Sequence, residues 1–226
     1  MNLLIPHEKY LEAGVHIGTR TAMREMRKFI YKFRKDKLNM LNIEQIDKRI
    51  KASAKILAKY EPSEIAIIAS RVYAIPAAKK FAEVTGAIVY TGRFIPGTFT
   101  NPSMKNFTEP KLIFVCDPRI EKQALIEATN LGVPTLGLAD TDNTPKHLDY
   151  FVPCNNKGKK SVPLIFYLLA REYLKARGQS EEDIKFTPGD FELGEKKVEG
   201  AGEGVIEEAT GEEISEEELE SEAGEE

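Results

Sequence analysis

The chain has 226 residues and a formal net charge of −4, and this near-neutral sum conceals two regions of opposite sign. Residues 181–226 contain 19 acidic and 3 basic residues, a net charge of −16, whereas residues 1–180 contain 17 acidic and 29 basic residues, a net charge of +12. We find no apolar run of about 18 residues and no secretory signal, so we do not expect a membrane protein. We predict a basic domain over residues 1–180 and an acidic, largely disordered tail over residues 181–226.

The two cysteines, Cys116 and Cys154, lie in strand-like runs without the spacing of a metal or redox site. We expect buried small hydrophobic side chains in a reducing compartment. The three histidines, His7, His16 and His147, are far apart and also lack metal-ligand spacing. The sequence therefore predicts neither a metal site nor a cofactor.

The first predicted element is a short helix over residues 6–13 that ends at Gly14. It is followed by the segment that we call the basic arm, residues 15–40. Eight Lys or Arg residues and only two acidic residues fall between Arg20 and Lys37. Such a density of positive charge is typical of a surface that binds a polyanion.

Aromatic and basic residues alternate in the second half of the basic arm, where Phe29, Tyr31 and Phe33 interleave with Lys or Arg. This is the period of a strand that has one apolar and one basic face. The alternation fits two interpretations: a surface ribbon packed on its aromatic side, or an arm that binds a polyanion. The charge density favours the second.

After the arm, Asn42 is predicted to cap a helix that runs to Tyr60, with Gln45 at its third position. One face of this helix is apolar, and the other carries lysines that usually serve only solubility: Lys48, Lys51, Lys55 and Lys59. A buried strand over residues 64–70, a helix over residues 76–84 ending at Gly86, and a strand over residues 87–91 are predicted next.

Residues 91–110, which we call the long loop, interrupt this rhythm with three prolines, two glycines and no clear period. Loops of this length are usually functional or disordered, and Phe94, Phe99 and Phe107 argue against disorder. One interpretation is an ordered loop that satisfies its own backbone. The other is a surface for phosphate and sugar contacts made by Arg93, Thr98, Thr100, Asn101 and Lys105.

Residues 111–142 predict a strand, a helix and a second strand, with Asp117 as helix cap, Pro118 at the first helical position and Gly132 after the last. Two apolar strands around a helix indicate a parallel sheet that is buried on both faces. An edge strand over residues 149–154 and a helix from a Ser161 cap to Gly178 complete the domain. Ile184, Phe186 and Phe191 are expected to dock back onto it.

The clearest enzymatic pattern is Asp140-Thr-Asp-Asn-Thr, which fits the DxDxT pattern of haloacid-dehalogenase-like phosphatases. A Mg²⁺-dependent phosphotransfer enzyme using Asp140 and Asp142 is therefore the alternative function. We disfavour it because that pattern normally opens its domain, whereas only one strand and one helix follow here. A receiver-like Mg²⁺ pocket of Asp117 and Asp140 is disfavoured because Asp117 fits a helix cap, and Asp142 or Asn143 fits another cap before Pro145.

No glycine-rich nucleotide-binding motif is present, neither GxGxxG nor GxxxxGK[ST]. No Ser/His/Asp or Cys/His arrangement has support in the sequence either. His16 stands between two glycines, and we interpret it as a turn or partner residue rather than a catalytic one. An interaction module acting through the acidic tail is a third, weaker possibility.

Three long motifs occur in order: LEAGVHIGTR, TGRFIPGTFTNP and PKLIFVCDPRIEKQALIEATNLGVPTLGLADTD. In these motifs the chain resembles the universal ribosomal protein S-two family of the small subunit, and the match is close to its archaeal branch. The resemblance covers roughly residues 5–178. The bacterial branch has a protruding coiled-coil insertion that this chain lacks, so no role of that insertion is transferred.

The resemblance implies a flavodoxin-like αβα three-layer sandwich around a parallel sheet, without a nucleotide site and without catalysis. It implies a cytoplasmic, ribosome-bound protein whose partners are small-subunit rRNA and neighbouring ribosomal proteins, with no membrane and no small-molecule substrate. Motif by motif, it assigns RNA or partner contacts to two segments. In the basic arm these contacts are His16, Gly18, Thr19, Arg20, Arg24, Arg27, Lys28, Lys32, Arg34 and Lys35; in the long loop they are Arg93, Thr98, Thr100, Asn101 and Lys105.

Overall fold

A computed structural model describes residues 3–179 and 186–192 of the chain. Within these residues, five α-helices and seven β-strands form in chain order. The helices are α1 (His7–Glu12), α2 (Ile43–Leu57), α3 (Ala74–Thr85), α4 (Lys122–Leu131) and α5 (Ser161–Ala176). The strands are β1 (Ile30–Phe33), β2 (Asn39–Leu41), β3 (Ile65–Ala69), β4 (Ile88–Thr91), β5 (Leu112–Val115), β6 (Thr135–Ala139) and β7 (Tyr150–Pro153).

The central sheet has the strand order β4-β3-β5-β6-β7, and every pairing in it is parallel. Numbered within the sheet, this is the 2-1-3-4-5 order of flavodoxin-like folds, as the resemblance predicted. Strands β3, β5 and β6 are buried at every position. Their continuous apolar runs follow from this, because both faces of the sheet are covered.

The two faces of the sheet are covered differently. Ile65 and Ile67 of β3 face a core that α2, α3 and α5 complete. Ala66 and Ile68, the alternate residues, face a smaller core built from α4 together with Phe94 and Phe99 of the long loop. The long loop therefore covers part of the sheet where a second helix is expected in a doubly wound fold.

Local signals placed most helix ends correctly. Asn42 caps α2, since its side chain accepts a hydrogen bond of 2.9 Å from the Glu44 backbone N–H. Helices α3 and α4 end at Gly86 and Gly132, both in the left-handed conformation. None of the helices in the described ranges is both long enough and apolar enough to span a membrane.

Three predicted caps are wrong. Helix α4 begins at Lys122 rather than at Pro118, because the Asp117 carboxylate bonds the Arg71 side chain and the Arg119 N–H in a turn before the helix. No helix begins at Asn143, because the described chain runs from there to β7 without one and the Asn143 side chain bonds inward to Asp117 instead. Ser161 is the first residue of α5 and not its cap, and its hydroxyl donates to the Asn155 carbonyl.

The segment after α5 docks where the sequence predicted. Phe186 and Phe191 pack edge-on against Tyr167 of α5 and against each other, and Phe191 is fully buried. Ile184 and the acidic residues 193–226 lie outside the described residues. The predicted domain boundary and the disorder of the tail therefore remain predictions.

Candidate nucleic-acid interface

The strand predicted from the alternation in the second half of the arm forms at β1, but it is shorter than the alternation and excludes Phe29. Arg24–Phe29 form a 3-10 helix, and only then does β1 begin. Strand β1 pairs antiparallel with β2 to make a two-stranded hairpin outside the main sheet. The first part of the arm adds to this hairpin through an antiparallel bridge between Ile17 and Met40.

The base of the arm is fixed to the loop after β6. The Thr19 N–H donates to the Thr141 hydroxyl at 2.8 Å, and the Met23 N–H donates to the Thr141 carbonyl at 2.8 Å. Gly18 lies directly against the same residue: a Cβ there would stand 2.5 Å from Thr141 Cγ2. Glycine is therefore required at this position by close approach, since any side chain displaces the arm from the sheet.

The cations of the arm face solvent. All seven basic residues predicted as contacts are exposed, namely Arg20, Arg24, Arg27, Lys28, Lys32, Arg34 and Lys35. Within residues 3–179 and 186–192, Arg34 alone among them has an ion pair, 3.5 Å from Asp36, and both of these side chains are more than half exposed. A cluster of unpaired, exposed cations is the electrostatic footprint of a polyanion-binding surface.

The aromatic residues of the arm separate into two kinds, which argues against the interpretation of a surface ribbon packed on its aromatic side. Phe29 is buried, edge-on against Phe151 at 5.5 Å and beside the Arg49 guanidinium at 4.7 Å. Tyr31 is 78% exposed and Phe33 is 67% exposed. The main sheet supplies partners for Phe29, whereas the described residues leave most of the Tyr31 and Phe33 side chains uncovered.

His16 is buried at the inner end of the arm. Its Nδ1 atom has no hydrogen-bond partner among the described residues. Burial lowers the pKa of His16, opposed in part by the backbone of Tyr10 and reinforced by the nearby charges of His7 and Arg34. The side chain borders a groove of about 740 Å³ between α1 and the hairpin, which Leu11 and Tyr31 also line.

The long loop is organised by a residue that the sequence analysis did not single out. Glu127 of α4 is 3% exposed, and its carboxylate accepts hydrogen bonds from the N–H groups of Gly97 at 2.7 Å and Phe99 at 3.2 Å. Gln123 donates to the same carboxylate at 3.1 Å. A glutamine and an acid four residues apart on a helix usually face solvent, so only the fold reveals this role.

The predicted contacts of the long loop differ in accessibility. Arg93, Thr100, Asn101 and Lys105 are exposed. Thr98 is 3% exposed, and its hydroxyl donates to the Ile95 carbonyl at 2.7 Å, so this side chain shapes the loop. No hydrogen bond or ion pair joins the loop to the arm among the described residues, and we treat the predicted residues as two patches.

A groove of about 640 Å³ beside α4 extends the arm, and we call it the α4 groove. Thr21 and Met23 of the arm line one part of it, and the exposed cations Arg119, Lys122 and Lys146 lie in the rest. Arg119 is 3.6 Å from Asp142, whereas Lys122 and Lys146 have no ion-pair partner in the part of the chain that the structure describes. These lysines are isolated in sequence, and only the fold places them beside the arm.

The carboxyl ends of the strands meet in a buried polar group that we call the carboxyl-edge cluster, comprising Arg71, Asp117, Glu121, Asp140, Asp142, Asn143, Asn156 and Lys157. Asp117 is fully buried and accepts from Arg71 Nε at 2.6 Å and from the Asn143 side chain at 3.0 Å. Glu121 accepts from the N–H groups that end β3 and β5, Ser70 at 2.9 Å and Cys116 at 2.7 Å. Burial raises the pKa of Glu121 to about 8, against the effect of these donors.

The two acids of the DxDxT pattern are held by this cluster. Asp140 is 1% exposed and accepts from the Thr141 N–H at 2.6 Å, and burial raises its pKa. Lys157 Nζ lies 2.7 Å from Asp142 and 3.4 Å from Asp140. Both acids are thus bound by groups of the same chain, and Asp140 offers no accessible oxygen to a substrate.

The next feature is the placement of the potential metal ligands and thiols in the described ranges 3–179 and 186–192. No group of three or more His, Cys, Asp or Glu side chains within them is arranged to hold a metal ion. Cys116 and Cys154 are buried and free, and burial raises the pKa of both thiols. The prediction that they act as small buried side chains is confirmed.

Comparison with known proteins gives one consistent result. The sequence profile of the family described as Ribosomal protein S2 matches residues 10–107 and 102–176. The Small ribosomal subunit protein uS2 of Methanococcus maripaludis strain C6 is 47% identical over 190 residues, which is 84% of this chain and 86% of that protein. The protein of the same name from Staphylothermus marinus is 47% identical over 195 residues, 85% of this chain and 89% of that protein. This chain belongs to the ribosomal protein S2 family and is of the archaeal type.

Proposed function

We propose that this protein is a structural component of the small ribosomal subunit that binds small-subunit rRNA through its basic arm and supports subunit assembly and translation. The observation that carries the proposal is the row of exposed cations from Arg20 to Lys35, of which only Arg34 has an ion pair in the described chain. The α4 groove continues this surface with Lys122 and Lys146. The long loop adds a second patch at Arg93 and Lys105.

The physical basis is release of counterions from the RNA backbone. Each phosphate neutralised by Lys or Arg releases condensed cations, so this contribution dominates affinity and makes binding fall steeply with salt. A body with a net charge of +12 over residues 1–180 has enough cations for several such contacts. Structured RNA is read through its shape, phosphates and 2′-hydroxyls, which exposed Lys, Arg, Thr and Asn side chains suit.

The enzymatic alternative is disfavoured by the same geometry. A phosphotransfer nucleophile must reach its substrate, whereas Asp140 is 1% exposed and bonded within the chain. Membership in a family of ribosomal proteins agrees with the prediction that the chain is not an enzyme. Neighbouring ribosomal proteins as partners, a place in cytoplasmic ribosomes and an interaction role for the acidic tail are parts of the proposal that rest on the family and on charge.

Sedimentation tests the proposal. The full chain with a small affinity tag is expressed in Methanococcus maripaludis, and its cell extract is fractionated on a sucrose gradient. We expect the tagged chain to migrate with small subunits and to move to the top of the gradient when the salt is raised. A chain that stays at the top at low salt contradicts the proposal.

A matched pair of variants assigns the contact to the arm. One variant carries Arg20→Glu, Arg24→Glu, Arg27→Glu and Lys28→Glu. The control carries the same charge change at exposed lysines of α2, α3 and the turn after α2: Lys48→Glu, Lys55→Glu, Lys59→Glu and Lys79→Glu. We expect only the arm variant to leave the small-subunit fractions. Equal losses in both variants would show that net charge, and not the arm, governs association.

A further inference from the structure

Tyr31 and Phe33 are the most exposed large hydrophobic side chains of the described residues, at 78% and 67%. Exposed aromatic rings cost free energy in water and are frequently part of a binding surface. Both rings stand on β1, in a hairpin whose nearest layer covers Phe29 but not them. The fold therefore holds two rings in solvent on a fixed strand, where a partner finds them already positioned.

The two rings stand next to cations on a few residues of the arm. The pairing of β1 with β2 shifts register between Ile30 and Lys32, so strict alternation of faces does not hold at Tyr31. Tyr31 and Lys32 line the same groove between α1 and the hairpin. Each ring has an exposed cation next to it in the chain, Lys32 for Tyr31 and Arg34 for Phe33.

The surroundings of the rings favour RNA over a protein. The segment from Lys28 to Lys37 contains five cations and one acid, Asp36. Protein interfaces are depleted of charged residues at their cores, and lysine is among the residues they disfavour most. Aromatic rings among cations are instead the arrangement that binds single-stranded nucleic acid, where the charges follow the backbone and the bases stack on the rings.

We propose that Tyr31 and Phe33 stack on unpaired bases of small-subunit rRNA, so that the arm selects looped or single-stranded RNA over uninterrupted duplex. The inference rests on the proposed rRNA-binding function and specifies the ligand of the arm. Bases inside a duplex are already stacked on their neighbours and present no free face. A splayed or looped base presents one, and the sequence-independent character of stacking makes any unpaired base a suitable ligand.

The test compares loss of the rings with exchange of the rings. One double variant is Tyr31→Leu with Phe33→Leu, which keeps apolar volume and removes aromaticity. The matched control is Tyr31→Phe with Phe33→Tyr, which keeps both rings. The full chain and both variants are titrated with transcribed small-subunit rRNA of Methanococcus maripaludis, with a 12-nucleotide oligoadenylate carrying 2-aminopurine, and with a blunt 12-base-pair RNA duplex.

We expect the leucine variant to bind the rRNA about a hundredfold more weakly, roughly tenfold for each ring. We expect it to lose the quenching of 2-aminopurine that stacking causes, while the salt dependence of rRNA binding stays the same because no phosphate contact is removed. The ring-exchange control is expected to bind within about threefold of the wild type. The duplex is expected to bind all three proteins equally and more weakly than the oligoadenylate does.

Three outcomes would overturn the inference. The first is wild-type rRNA affinity in the leucine variant, and the second is an equal loss in the ring-exchange control. The third is unchanged rRNA affinity with lost association to small subunits, which would assign the rings to a protein neighbour. The variant with four charge reversals in the arm tests the proposed function separately, because it keeps both rings. The proposed function predicts that this variant loses rRNA binding, whatever the leucine variant does.

Discussion

At the carboxyl edge of the sheet, Arg71 and Lys157 are each held by buried or half-buried carboxylates of Asp117, Asp140 and Asp142. In the basic arm, Arg24 and Lys32 face solvent, and neither has an ion-pair partner in the part of the chain that the structure describes. The fold places the first group where parallel sheets usually bind ligands, and the second on a hairpin outside the sheet. The comparison teaches that position in a fold does not by itself identify a site, and the unpaired cations of the arm are the surface that we propose as the interface.

Breaking the carboxyl-edge cluster has the largest expected effect. Asp117→Ala leaves Arg71 and the Asn143 amide without their acceptor in a buried site, and removing one partner of a buried pair costs about 3–5 kcal/mol. We expect the free energy of unfolding to fall by an amount near the lower end of this range, because the Arg71 side chain is partly exposed. Urea unfolding measures it.

The control is Asp36→Ala, which breaks the exposed ion pair of the arm. Exposed pairs contribute about 0–1 kcal/mol, so the unfolding curve is expected to move little. If both substitutions destabilise the protein equally, the distinction between a paired interior cluster and an open arm is wrong.

Glu127→Gln is expected to have the next largest effect. An amide nitrogen replaces one of the oxygens that accept from Gly97 and Phe99, so a buried donor faces a donor, at a cost of about 1–3 kcal/mol. Faster hydrogen exchange at these two amides measures the loosening of the long loop. Glu83→Gln on the exposed surface of α3 is the control, and protection that stays wild-type in both variants contradicts the assigned role.

Lys122→Glu with Lys146→Glu tests whether the α4 groove belongs with the arm or with the cluster. We expect about tenfold weaker binding to small-subunit rRNA. The slope of the logarithm of affinity against the logarithm of salt concentration is expected to fall in magnitude by about 2, one for each phosphate contact. Unfolding by urea is expected to change by less than about 0.5 kcal/mol, as for other surface substitutions. Lys55→Glu with Lys59→Glu is the matched control; rRNA binding that is the same in the two pairs removes the groove from the interface.

The smallest expected effect is the pH dependence at His16. Burial lowers its pKa below the ordinary value of 6.5, so the unfolded chain binds a proton there more readily than the folded chain. The free energy of unfolding is therefore expected to fall as pH drops below 6.5, until the folded imidazole also titrates. His16→Gln removes this part of the slope in urea titrations at several pH values, whereas His7→Gln at the exposed start of α1 keeps most of it. A slope that is unchanged in His16→Gln contradicts the assignment.

Much of the fold was predictable because its signals are local. The Asn42 cap, the glycine ends of α3 and α4 and the apolar strand runs each depend on neighbouring residues in the chain. The same locality explains the errors at Asp117 and Asn143. Asp117 accepts a hydrogen bond from Arg71, which lies 46 residues earlier in the chain, and another from Asn143, which lies 26 residues later. A helix cap was the only role that the neighbouring residues indicated for either side chain.

The candidate site was predictable in charge but not in shape. The basic run identified the arm, yet exposure of Tyr31 depends on which layer covers the hairpin, and that is a property of the assembled fold. Thr141 holds the base of the arm through a hydrogen bond to Thr19, which is 122 positions away in the chain. Lys122 and Lys146 lie beside the arm only because α4 packs against the sheet. Patterns in one sequence carry no information on such distant pairings.

The salt dependence of rRNA binding tests the central claim most directly. The logarithm of affinity for transcribed small-subunit rRNA is measured against the logarithm of salt for the wild type, the arm variant at Arg20, Arg24, Arg27 and Lys28, and the control variant at four lysines elsewhere. We predict that the slope falls by about 4 in the arm variant and stays near the wild-type value in the control. Equal slopes in the arm variant and the wild type would contradict the account.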